Sequence, residues 1–490
     1  METHPVYRIL LAASEAAPLI KTGGLGDVCG ALPGQLRALG HDCRLLLPAY
    51  PAALAACREL QVVARFALHD LPEPAELLEG IDGDGNPAWL LNAPSLFARD
   101  GNPYTGPDGH DWPDNARRFG LFSRAVAQIA AGAVGLDWRA DVVHCNDWQT
   151  GLVPLLLHDY GHHRPASLFT IHNLAYRGLF PVEALDQLGL SRSLFQMHGL
   201  EFYGQIAFIK GGLLYADWLT TVSPTYAREI RSEAHGQGLH GLLETRSDRL
   251  VGILNGADYR IWNPASDPHL AEPYDRDSLA RKAANKAALQ REMGLQDDPR
   301  APLCGLVSRL VEQKGIDLVL TNLDWLVAQG AQLALLGSGQ REHETALLAA
   351  AERHPGRIAV RIGYNDPLAH RIEAGADLFL MPSRFEPCGL NQIYSLRYGT
   401  PPLVRRTGGL ADTVVETNEA TLQAGTATGF VFDQADAEAL RTALAEAMRL
   451  YRDQPHDWHS IQATGMAQDF GWERSARAYE ALYRRAINRI

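Results

Sequence analysis

Short apolar runs alternate with helix-patterned stretches along almost all of this 490-residue chain, and that alternation limits the folds open to it. In the first half the runs fall at 6–13, 43–47, 141–144, 167–170, 219–222 and 250–254. In the second half they fall at 303–307, 332–336, 358–361, 378–381, 402–404 and 429–432. Strands separated by helices build parallel sheets covered on both faces, an α/β architecture. Twelve strands exceed one compact sheet, and a βα-barrel of eight units would leave four unplaced. Two doubly wound Rossmann-like domains are therefore expected, in keeping with a length that calls for two or three domains. Prolines cluster from Pro264 through Pro268 to Pro273, between the run at 250–254 and a helix expected over 275–293. That cluster divides the chain into domains at 1–262 and 263–469. A closing helix over 474–490, within a C-terminal segment 470–490, offers Ala478, Leu482 and Ile487 for burial and is expected to pack back on the first domain.

In open parallel sheets ligands bind beyond the carboxyl ends of strands, so polar residues gathered there point to a site. The first such end carries Lys21-Thr22-Gly23-Gly24-Leu25-Gly26-Asp27-Val28, ahead of a helix expected over 28–39 and stopped by Gly40. Strand, glycine-rich turn and helix aim backbone N–H groups at an anion, and Lys21 adds a positive charge at the lip. The octet is not a P-loop, because Lys-Thr comes first rather than last. It also misses the dinucleotide fingerprint: Cys29 stands where a third glycine belongs, and no acid ends the second strand. Other ends carry Asn146-Asp147-Trp148, His172-Asn173, Asn255-Gly256, Ser308-Arg309, Gly363-Tyr364 and Ser383-Arg384-Phe385-Glu386.

Several function classes are excluded by composition. A net charge of −12 argues against nucleic-acid binding, so an anionic substrate would need local cations. No apolar run approaches the ~20 residues of a membrane span. The six cysteines are scattered, without the paired spacing of a zinc site or disulfide framework. Asp82-Gly83-Asp84-Gly85-Asn86 has Pro87 and Ala93 where a calcium loop needs glycine and glutamate, and reads as a hairpin turn. His158, His162 and His163 lack a carboxylate or cysteine at ligand spacing and read as solvated.

Taken together, the motifs resemble those of the bacterial glycogen synthase and plant starch synthase family. The octet at Lys21 is similar to the family's Lys-Thr-Gly-Gly-Leu signature. Thr170 to Tyr176 resembles its His-Asn-Leu-Ala-Tyr segment, and Asn146 to Gly151 its His-Asp-Trp-x-Thr-Gly, with Asn146 in place of the usual histidine. Ser308 to Gly315 matches Ser-Arg-Leu-x-x-x-Lys-Gly. Glu386-Pro387-Cys388-Gly389-Leu390 matches Glu-Pro-Cys-Gly-Leu, with Asn391 where threonine is usual. Gly408 to Asp412 completes the set.

The resemblance implies a GT-B glycosyltransferase, with two Rossmann-like domains facing across a deep cleft. It implies transfer of glucose from ADP-glucose to the 4-hydroxyl at the non-reducing end of an α-1,4-glucan, with retention, in a bacterial cytoplasm without signal or transit peptide. Catalytic roles fall to Glu386, His172, Asp147, Arg309 and Lys314. Substrate binding falls to Lys21, Gly23, Gly24, Asn255, Tyr364, Cys388, Gly389, Leu390, Asn391, Gly408 and Gly409. With Lys21, Arg309 and Lys314 available for the diphosphate, no metal or other cofactor is expected, and neither nucleic acid nor membrane is an expected partner. Tyr104 and Trp112 are candidates for sugar stacking or for buried packing. The alternatives are another GT-B enzyme with a different donor base or small acceptor, and a non-catalytic glucan-binding relative. A phosphorylase of this fold would need a pyridoxal phosphate lysine, for which no site is recognisable.

Overall fold

Arg8–Ala12 is the middle strand of a nine-stranded sheet, and its apolar run Ile9 to Ala12 is wholly buried. Across the sheet the order is Leu250–Gly252, Trp218–Thr221, Ala166–Ile171, Val142–Asn146, Arg8–Ala12, Asp42–Pro48, Pro87–Asn92, Ala75–Ile81 and Arg58–Phe66. Neighbours are parallel as far as Pro87–Asn92, and the last two strands join antiparallel. The hairpin turn expected at 82–86 joins Ala75–Ile81 to Pro87–Asn92, although these last three strands are not themselves among the expected runs. Arg58–Phe66 is a mostly exposed edge strand, so it lacks the apolar face by which a strand is recognised. A three-stranded sheet between residues 179 and 207 is not foreseen for a different reason, since its strands are only two or three residues long.

A second sheet has six parallel strands in the order Ile358–Ile362, Gln332–Gly339, Leu303–Leu310, Leu378–Met381, Pro402–Arg405 and Phe430–Phe432. Burial on both faces explains their near-continuous apolar sequences. Cys304, Leu306, Leu333 and Leu335 pack into one core, while Leu303, Ala334 and Leu336 pack into the other, as the two-residue period requires.

The structure, a computed structural model, describes residues 5–488. It forms two units: Met1–Gly256 with Trp472–Ile490, and Ala257–Gly471. The division therefore falls after Gly256, ahead of the proline cluster and of the expected 262, and the closing segment begins at Trp472 rather than 470. The closing helix Trp472–Ile487 buries Trp472, Ser475, Ala476, Tyr479, Leu482, Tyr483 and Ala486. Ala478 is exposed and Ile487 only half-buried, because the buried stripe is set by the two tyrosines. The helix expected over 275–293 is broken at Ser278, whose backbone is non-helical, and continues as Lys282–Met293. Among the described residues no helix is long and apolar enough to cross a membrane. His158, His162 and His163 are exposed in a short 3-10 stretch. All six cysteines are buried.

Candidate active site

The chain changes direction across each sheet at one place, and there the crevice beyond the strand ends opens. In the first unit this lies between Arg8–Ala12 and Val142–Asn146. Asn146 ends its strand, and its amide donates to the carbonyls of Ala12 (3.1 Å) and His144 (3.3 Å). Its Oδ1 therefore faces Nε2 of His172 at 2.9 Å. An amide oxygen only accepts, so Nε2 of His172 carries the proton. Burial pushes the His172 imidazole down to about 3. It is a neutral histidine of fixed tautomer.

Asp147 comes next, with φ +58° and ψ −177°, a region that only glycine enters without strain of order 1–3 kcal/mol. The conformation is held from two sides. The Asp147 N–H donates to the carbonyl of Thr170 at 3.0 Å, and Oδ1 accepts from the His172 N–H at 2.7 Å. Burial, assisted by the charge of Glu15, pushes the Asp147 carboxyl up to about 7 against the N–H groups of His172 and Asn173. Asn255 is buried, and its Oδ1 has no hydrogen-bond partner, which marks an acceptor held ready for a ligand.

The glycine turn holds a surprise in its electrostatics. Its anion is internal: the buried carboxylate of Glu15 accepts from the Thr22 N–H, the Thr22 hydroxyl (2.9 Å) and the Gly23 N–H (3.1 Å). Tyr104 also donates to Glu15 at 2.9 Å and pairs with Ser14 at 2.8 Å. The Tyr104 ring is thus tied to the site by its hydroxyl, while Trp112 lies under the guanidinium of Arg99. Burial raises the Glu15 carboxyl above its ordinary value despite these donors. The helix begins at Gly24 rather than 28, and Lys21 pairs with Asp27 in its first turn at 2.7 Å. Open space surrounds Gly23 and Gly24 where a Cβ would project. Glu15 went unnoticed in the sequence, although it stands just past the first strand's carboxyl end.

In the second unit the change of direction falls between Leu303–Leu310 and Leu378–Met381. Arg309 is exposed near the end of the first of these strands. Lys314 follows it, and Nζ meets the Glu386 carboxylate at 2.5 Å. Ser383 donates to the same carboxylate oxygen at 2.9 Å. Glu386 is buried, so both contacts act at reduced dielectric. The Gly408–Gly409 turn braces this arrangement. Gly409 donates its N–H to the carbonyls of Glu386 (3.1 Å) and Pro387 (3.2 Å). At Gly408, with φ +46°, a Cβ would fall 1.8 Å from the Glu386 carbonyl, so no other residue fits. Cys388 is buried against Gly409, and Gly389 adopts φ +73°. Leu390 caps the short helix Asn391–Arg397. The Asn391 amide donates to the Val307 carbonyl at 2.6 Å, tying that helix to the neighbouring strand. Tyr364 follows the edge strand and is 80% exposed, its hydroxyl on Asp366 at 3.1 Å. The remaining residues of this unit's set thus gather at the crevice, whereas Tyr364 stands apart in strand order.

Comparison with known proteins finds relatives along nearly the whole chain. The family described as Starch synthase catalytic domain matches residues 8–245, and Glycosyl transferases group 1 matches 294–462. Glycogen synthase 2 of Nitrosococcus oceani is 52% identical over 484 residues, covering 99% of this chain and 98% of that protein. Glycogen synthase of Alkalilimnicola ehrlichii is 55% identical over 481 residues, covering 97% and 98%. Among solved structures, the catalytic domain of starch synthase IV from Arabidopsis thaliana, bound to ADP and acarbose, superposes with a TM-score of 0.89. It is 34% identical and covers 99% of this chain and 100% of that one.

Proposed function

Since the chain belongs to the glycogen and starch synthase family of GT-B glycosyltransferases, we propose that it transfers glucose from ADP-glucose to the 4-hydroxyl ending an α-1,4-glucan, with retention. The observation that carries this reading is the Lys314–Glu386 pair at the second unit's crevice. As the bond from C1 to the departing oxygen lengthens, negative charge grows on the diphosphate and positive charge on the sugar ring. The Lys314 ammonium is fixed in place before reaction by Glu386, so it can meet the growing phosphate charge without reorganisation. Arg309 supplies a planar fork and Lys314 a compact charge. Glu386, freed in part from Lys314 by the phosphate, favours the cationic ring. Arg309 and Lys314 bring positive charge to the leaving group from this unit, and the transfer is proposed to need no metal. In the first unit, neutral His172 with Asp147 and the open Oδ1 of Asn255 suit the hydroxyls of an uncharged sugar. A bacterial cytoplasm, where such a donor would be made, is the proposed location.

The test is ADP release from ADP-glucose and from UDP-glucose, with and without glycogen. Glycogen-dependent release from ADP-glucose in clear preference is expected. Lys314→Ala should then lower kcat by at least ~10² while KM for the donor moves less. A folded Lys314→Ala enzyme with near-normal kcat would remove this electrostatic element.

A further inference from the structure

The second unit holds a cluster that glucosyl transfer does not use. His370 lies on the helix Asp366–Gly375, one turn after Asp366, and is 1% exposed. Its Nδ1 pairs with the buried carboxylate of Asp267 at 2.7 Å, and the same Asp267 oxygen accepts from the Tyr398 hydroxyl at 2.5 Å. A carboxylate on Nδ1 places the proton there and leaves Nε2 as a lone pair. That Nε2 is buried with no hydrogen-bond partner. It faces the Asp366 Oδ2 at 3.8 Å, while Tyr364 occupies the other carboxylate oxygen. The His269 ring stands 5.0 Å from that of His370, and its backbone N–H is anchored on Asp267 at 2.9 Å. The ligand atoms of His269, Asp366 and His370 all lie within 4.8 Å of one another.

We propose that His269, Asp366 and His370 form a binding site for a zinc-class divalent transition metal, with Asp267 orienting His370 from behind. The donor set decides the class. Two imidazole nitrogens and one carboxylate suit Zn²⁺ and its neighbours, leaving a fourth position for water. Mg²⁺ and Ca²⁺ prefer oxygen throughout. Bonds of ~2.1 Å at tetrahedral angles need ligand atoms about 3.4 Å apart, so the cluster must tighten. His370 is immobilised by Asp267 and by Trp262, which stacks on it at 3.7 Å. The half-buried His269 and Asp366 are the groups that close. A metal here would satisfy the one buried nitrogen that the protein leaves without a partner in this cluster. It would act on the unit's stability rather than on the departing phosphate.

The experiment is calorimetric titration of the chelator-treated full-length enzyme with Zn²⁺ and, separately, Mg²⁺, alongside thermal melts. One Zn²⁺ per chain is expected, with a rise in Tm and no response to Mg²⁺. Both His269→Ala and Asp366→Asn, at partly exposed positions that leave the His370–Asp267 pair intact, should weaken Zn²⁺ at least tenfold. A double His162→Ala, His163→Ala variant should bind as the parent does. No Zn²⁺ binding, or binding undiminished in both His269→Ala and Asp366→Asn, overturns the proposal, as does loss of the stoichiometric site in the His162 and His163 variant.

Discussion

At neutral pH His172 holds one proton, on Nε2, because Asn146 presents it only an acceptor. Asn146→Asp would set a carboxylate there and raise the imidazole from about 3 toward its ordinary value. The kcat/KM profile of that variant should gain an acid limb above about pH 5 that the parent lacks; superimposable profiles would show that His172 does not act on the sugar. Stability responds to the same groups with opposite signs. His172 and His144 are both depressed to about 3 from 6.5, so their contribution is present above 6.5 and is lost as pH falls through the folded values. Asp147 is raised from 3.8 to about 7. Its contribution is fullest below 3.8 and is lost as pH rises through 7. Asp147→Asn should therefore shift the change in Tm between about pH 5 and pH 8 upward relative to the parent, and an unchanged pH dependence would refute the assignment. Asn391→Thr bears on the departure from the family motif. Threonine would give up the bond to Val307, so a loss of about 1 kcal/mol in stability is expected, with kcat/KM within roughly tenfold. A hundredfold loss would give the asparagine side chain a role beyond the tether.

Elements were legible in proportion to how local their causes are. All twelve apolar runs form strands; most are buried on both faces, and burial of that kind is written in the run itself, while the edge strand Leu250–Gly252 is only half-buried. The start of the first helix was misjudged because its neighbouring N–H groups are satisfied by Glu15, a residue outside the turn. The candidate site was readable as a set of strand ends, and its pairings were not. Nothing in the sequence announces that Asn146 meets His172 or that Lys314 meets Glu386, since strand order brings them together. Lys286 shows the same dependence. It sits on the helix Lys282–Met293, pairs with Asp377 at 2.6 Å, and donates to the carbonyls of Pro299 (3.0 Å) and Ala301 (2.7 Å). Asp377 in turn accepts from the Leu303 N–H at 2.8 Å, joining the two strands that flank the crevice. Lys286→Met should destabilise by ~3–5 kcal/mol through the carboxylate left unpaired, read as a lower urea midpoint. A loss under about 1 kcal/mol would class the pair with exposed ones.

For the whole molecule, the decisive feature is that the first unit is made of two stretches of chain. Its closing helix brings Tyr483 onto His144 at 2.8 Å, Ser475 onto the Leu254 carbonyl at 2.6 Å, and Arg485 over the Trp218 ring at 4.2 Å. Burying its large apolar side chains contributes ~1.5–3 kcal/mol each, comparable in sum with the ~5–15 kcal/mol that holds an ordinary domain. A chain ending at residue 471 should therefore lose the first unit's melting transition, while a fragment spanning 257–471 should melt cooperatively by itself. Retention of both transitions in the truncated chain would contradict this. The inserted unit fastens its own two ends together: the Ala257 N–H donates to the Phe470 carbonyl at 2.8 Å, and the Phe470 N–H donates to the Tyr259 hydroxyl at 2.9 Å. During synthesis the closing helix leaves the ribosome after the whole inserted unit has emerged. If the intervening chain were still a coil, bringing that helix home would mean closing a loop of some two hundred residues, an entropic cost of about 5 kcal/mol. Once residues 257 and 470 are joined, the loop has vanished, and the helix reaches its groove as though it had been encoded directly after Gly256.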